Sequence, residues 1–186
     1  MVGASPGEQV LEACRRNNTE LLQEVIDGFS DKTSGKSSKK YSYEEQVADL
    51  LNNAVDGIGN NCLHLAAAYG SYEVMDMLLD QEGLEVDPLD RMEKDTPLHK
   101  AVRFVNGLPK AQWENGKLFV ELLLDAGADP RVRNKAKLKP VELVDPRNSE
   151  LRKALQKGEY SMTVGASELA NNDDDDGAHN SASDSE

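Results

Sequence analysis

Few residues of this chain have a type and spacing that invite chemistry. His64 and His99 lie 35 residues apart, and His179 sits near the end of the chain. No nucleophile, base and orienting group can be assembled around any of them. Cys14 and Cys62 are scattered thiols without the close Cys/His spacing of a zinc site. They read as small buried hydrophobes of a reducing compartment. Gly35-Lys36-Ser37 ends like a phosphate loop, but that motif needs a glycine five residues before Gly35, where Ser30 stands. No apolar strand leads into it, so a solvated basic loop is expected. Asp173, Asp174, Asp175 and Asp176 lack the alternation, central glycine and closing glutamate of a calcium loop. They read as an acidic tail. No catalytic residue, metal or cofactor is expected.

Composition points toward binding. The 186 residues carry a net charge of −13. Direct nucleic-acid binding would need the opposite balance. A basic protein partner suits this charge. Residues 161–186 hold seven acids and no Lys or Arg, leaving 27 acids against 21 bases elsewhere. No stretch approaches the roughly 18 apolar residues of a membrane span, and no apolar signal core opens the chain. A cytoplasmic location, extending to the nucleus, is the expectation.

The elements that must carry these residues repeat. Asn61-Cys62-Leu63-His64-Leu65-Ala66-Ala67 is echoed by Thr96-Pro97-Leu98-His99-Lys100-Ala101-Val102, and each phrase precedes a leucine-rich helical stretch. Proline presets φ at a first helical turn, and Thr96 can cap that helix. The leucines and alanines have the spacing of a face packed on a neighbouring layer. A fainter copy, Lys139-Pro140-Val141-Glu142, follows 43 residues later.

On these phrases the chain resembles the ankyrin-repeat family over about residues 8–157. The resemblance implies an all-α solenoid of about four helix-turn-helix repeats with β-hairpin-like loops. It also implies protein binding without catalysis, and structural roles for Leu63, His64, Thr96, Pro97, Leu98 and His99, with each histidine bonding backbone between layers. The acidic C-terminus and the Ala128-Asp129-Pro130 to Arg133-Asn134-Lys135 exit are similar to those of small ankyrin-repeat chaperones that escort a basic ribosomal protein of the small subunit. A general adaptor or regulatory subunit is the other reading. Lys94 stands where the family has a turn glycine, which puts that loop tip in question.

The expected layout is a flexible N-terminus (1–7), an array (8–158) with insertions at about 29–42 and 106–115, and a disordered acidic tail (159–186). Gly28 is expected to stop the second helix, and Tyr43 to begin a new one. The family's mode of use points to loop tips and first helices as the partner surface. The candidates are Ile58, Asn60, Arg91 and Met92 at the tips and Tyr69, Arg103 and Phe104 on the helices. Trp113 on the insertion and Asp173–Asp176 in the tail complete the set. A monomer with one protein partner is expected.

Overall fold

The computed structural model of the chain describes residues 3–33 and 42–170. Eight α-helices and two short 3-10 turns, with no strands, make up the regular structure of these residues. Layer one pairs α1 (Pro6–Arg16) with α2 (Thr19–Thr33), and α3 (Tyr43–Asn53) packs beside them. Layer two is α4 (Cys62–Tyr69) and α5 (Tyr72–Leu79). Layer three is α6 (Pro97–Gly107) and α7 (Trp113–Asp125), joined by a 3-10 turn at Lys110–Gln112. Layer four pairs a 3-10 turn at Pro140–Leu143 with α8 (Ser149–Ala170). The first helices stack in the order α1, α4, α6. Among the described residues no helix is long and apolar enough to cross a membrane.

One device starts every layer. The residue before each first helix has its backbone N–H taken by the side chain three residues later. Ser5 N–H donates to Glu8, Asn61 N–H to His64 Nδ1, Thr96 N–H to His99 Nδ1 and Lys139 N–H to Glu142. In the first three, the cap side chain in turn accepts the N–H of that third residue. This reciprocal pairing satisfies donors that the helix start would otherwise strand. Ser42 and Glu45 do the same for α3.

The apolar side chains then fill the space between layers. Cys14, Leu63, Ala66, Ala67, Leu98, Ala101 and Val102 are fully buried, as are Met75, Leu78, Val120 and Leu123 of the second helices. Small alanines on α4 and α6 let these helices approach closely. At Gly70, φ is +67° and a Cβ would fall about 2 Å from the Phe104 ring, so only glycine can close α4 against layer three.

Three expectations about boundaries differ from the structure. Gly28 does not stop α2, which runs on to Thr33 because Leu22, Val25, Ile26 and Phe29 continue one packed face through it. The insertion at 106–115 is partly taken up by the helices themselves: α6 reaches Gly107, and Trp113 already begins α7. Gly158 is also not the last residue of the regular structure. Helix α8 continues to Ala170, with Ser161 and Thr163 bonding back to the carbonyls of Lys157 and Glu159. Residues 34–41 and 171–186 lie outside the described residues.

The loop tips are closed alike. Asp56 N–H donates to the Asn60 carbonyl (2.9 Å), Asp90 N–H to that of Asp95 (3.0 Å) and Asn134 N–H to that of Leu138 (3.0 Å). The residue before the closing position is left-handed in each: Gly59 at φ +84°, Lys94 at +54° and Lys137 at +65°. The middle tip has one extra residue, yet it keeps this turn with a lysine. Left-handed backbone costs a residue with a Cβ on the order of 1 kcal/mol. Lys94→Gly is therefore expected to raise stability by up to about 1 kcal/mol, read as a higher urea midpoint. An unchanged or lower midpoint would show that the tip tolerates lysine at no cost.

Candidate functional site

The two histidines are the polar links between layers. His64 Nε2–H donates to the Asp95 carbonyl (2.8 Å), and His99 Nε2–H to that of Leu138 (3.0 Å). Both rings are essentially buried. Because each Nδ1 accepts a backbone N–H, Nε2 carries the proton and the ring is neutral. Burial lowers both histidine pKa values from the ordinary 6.5.

Beside them lies a buried ionic cluster. Asp95 accepts from Asn134 Nδ2 (2.9 Å) and Arg103 Nε (3.0 Å), while Lys100 Nζ pairs with Asp90 at 2.6 Å. Burial opposes ionisation of Asp95. The hydrogen bonds from Asn134 and Arg103 and the charges of Arg103 and Lys100 outweigh it and hold the carboxyl below its usual range. Asp90 is likewise lowered: its burial is overcome by Lys100 and by the N–H groups of the tip. These groups are spent on holding loops, and no nucleophile faces them. No set of three metal-ligating side chains occurs among the described residues.

The candidate partner residues fall into different places. Ile58, Tyr69 and Met92 are 54%, 56% and 56% exposed, and Arg91 is exposed as well. They share the side of the array formed by tips and first helices. Asn60 differs from the expectation. It is 8% exposed and bonds Asp56 through its N–H and its Nδ2, so it closes the tip. Phe104 is also turned inward, edge-on to Phe119 at 6.0 Å and over Gly70. Arg103 is half exposed but paired with Asp95. Trp113 packs on its own layer, its Nε1–H on the Leu108 carbonyl at 3.1 Å. Asp173–Asp176 lie outside the described residues.

Two features escaped the sequence reading. One is the Asp90–Asp95–Asn134 cluster, whose members bond across 39 residues. The other is an acidic outer surface. Glu20, Glu24 and Asp27 of α2, Glu44, Glu45 and Asp49 of α3, Glu73 and Asp76 of α5, and Asp80, Glu82 and Glu85 after it are all exposed. No Lys or Arg occurs among the side chains described between Thr19 and Asp90. Helical periodicity on the water-facing side was the available signal. A groove of about 360 Å³ between layers two and three is lined by Tyr72, Phe104, Leu108, Leu118 and Phe119 among others, with no carboxylate, histidine or thiol.

The family model for ankyrin repeats, in three copies, matches residues 10–134. The chain belongs to the ankyrin-repeat family. It is similar to the ankyrin repeat-containing protein YGL242C of Saccharomyces cerevisiae, with 43% identity over 143 residues, covering 76% of this chain and 71% of the yeast protein. Ankyrin repeats mark a protein–protein interaction module. The matched stretch ends at Asn134, just before the layer in which Glu142 replaces histidine.

Two outcomes follow from the histidine links. His64→Ala removes an inter-layer bond and leaves the buried Asn61 N–H without its acceptor, and is expected to cost about 1–3 kcal/mol in urea unfolding. A change within error would show that the His64 bond to the Asp95 carbonyl does not hold the layers together. The pH dependence has a definite sign. Below about pH 6.5 the unfolded chain protonates these histidines while the folded chain, with its lowered values, does not. Stability is thus complete above pH 6.5 and falls as pH drops toward the folded values. Urea midpoints that stay level from pH 7.5 to 5.5 would contradict neutral, buried imidazoles.

Proposed function

We propose that this array is a non-catalytic, monomeric binding protein with chaperone character, shielding a basic protein client such as a ribosomal protein. The observation that carries the reading is the acidic outer surface of α2, α3 and α5, with its exposed carboxylates and no described base among them. Like charges crowded on a surface cost folding stability, and a basic partner relieves that repulsion. The resulting field speeds encounter with a basic surface and disfavours acidic competitors. The acids at 173–176 add charge that a client can meet beyond the array. A cytoplasmic or nuclear site of action fits such a client.

A second reading is a general adaptor, and one observation favours it. Ile58, Tyr69 and Met92 are large apolar side chains left exposed on the tip and first-helix side. Such residues anchor partners when desolvated.

Co-purification from native extract separates the two. Full-length protein, a 1–170 truncation and a variant with Glu20, Glu24, Glu44, Glu45 and Glu73 changed to Gln are compared at low and moderate salt. The client reading expects one basic protein, weakened by added salt and by the Gln substitutions. A salt-resistant partner held equally by all three forms, and lost in Ile58→Asp/Met92→Asp, would replace it with the adaptor reading.

A further inference from the structure

The tip surface of layers three and four has the opposite charge to the outer face of layers one and two. Arg91 and Lys94 stand on one tip and Lys135 and Lys137 on the next, all exposed and without an ion-pair partner among the described residues. Arg133 joins them, shared between the Lys137 carbonyl (2.5 Å) and Glu142 (3.1 Å). Glu93 is the one exposed carboxylate on these two tips. The carboxylates of Asp90 and Asp95 are buried below, already matched by Lys100 and Arg103.

The tips form one firm surface. Lys135 N–H donates to the Glu93 carbonyl (2.7 Å), and Lys135 Nζ reaches that of Met92 (3.3 Å), tying the two loops together. On the other side the Arg91 stem lies across Gly59, where any Cβ would strike it. The backbones that carry the cations are therefore held at fixed spacing, which lowers the entropy cost of meeting an extended acidic segment.

The path of α8 leads toward these tips. Helix α8 starts beside Lys110 and Trp113, at the end of the array away from the tips. It then runs back past Leu124 and Ala128, and Glu159 pairs with Lys139 at the base of the fourth tip. From Glu159 to Ala170 the helix carries the chain about 16 Å further in that direction. Residues 171–186 follow, with six acids and no Lys or Arg. Sixteen residues span up to about 50 Å when extended, enough to reach all four free cations.

We propose that the basic tip surface of layers three and four is a docking surface for this chain's own acidic segment, residues 171–186. Docking covers the tips and Met92 when no client is present. A basic client competes for the same acids and uncovers the tips, so client loading and tip exposure are coupled. Attraction between exposed charges weakens as salt shortens the screening length from about 10 Å at 0.1 M toward 3 Å at 1 M.

Amine labelling of purified protein, read site by site by mass spectrometry, tests this with no client present. At low salt, Lys94, Lys135 and Lys137 should label more slowly in the full chain than in the 1–170 truncation, while Lys117 and Lys153 label alike in both. Added salt should abolish the difference. Zero-length carbodiimide crosslinking of a mixture of light and heavy full chains should join 171–186 to Lys94, Lys135 or Lys137 within one chain. Lys94→Glu/Lys135→Glu/Lys137→Glu should lose the protection of unsubstituted Arg91 against a guanidinium-selective reagent. Equal labelling of the two forms, crosslinks only to Lys32, Lys36, Lys39 or Lys40, or crosslinks only between light and heavy chains would each overturn the proposal. Because the measurement uses the chain alone, its failure leaves the basic-client reading standing.

Discussion

A single layer of this protein cannot fold by itself. Two short helices expose as much apolar surface as they cover, so each layer borrows its core from the next. Stacking therefore has to be specific, and buried polar bonds make it so. His64 and His99 each bind a carbonyl of the following loop, and a slipped layer would leave each imidazole N–H buried and unpaired. Where no histidine is present the same task passes to others. Ser71 Oγ–H donates to the Cys14 carbonyl and Val74 N–H to Asn17 Oδ1, joining layers one and two. Asn106 holds layer four through the Leu143 carbonyl and the Asp145 N–H.

These links also settle where charge can lie. The first helices are packed on both sides, so their few charged groups, such as Lys100, are drawn into pairs with Asp90 and Asp95. The second helices each present one face to water, and carboxylates gather there in layers one and two. The tips project beyond the stack, and those of layers three and four carry exposed cations. The result is an array that is acidic along one side and basic at one end. Net charge alone, at −13, hides this division.

The glycines and lysines of the tips illustrate how far one geometry is kept. Gly59, Lys94 and Lys137 occupy equivalent left-handed positions although only one is a glycine. Asp56 and Asp90 hold their tips by accepting backbone N–H groups, and Asn134 does so at the fourth. Side-chain oxygens at the start of each loop outweigh the backbone cost at its end. The tips thus keep their shape while their outward residues vary, which frees those residues for binding.

The repeat, the helix starts and the apolar faces were legible in the sequence, because all three are local. A capping pair lies three residues apart, and a helix face recurs every three or four. Thr96-Pro97-Leu98-His99 therefore declares its helix without help from the rest of the chain. What the sequence could not determine depended on distant partners. Whether Gly28 ends a helix rests on Phe29 finding a place in the packed face, and whether α8 outlasts Gly158 rests on the groove beside Leu124 and Ala128. Asn60 and Phe104 look like surface residues in sequence, but tertiary contacts turned one into a tip closure and the other into a lid over Gly70. The separation of acidic and basic surfaces belongs to the same class: residues far apart in sequence share a face only after the layers stack.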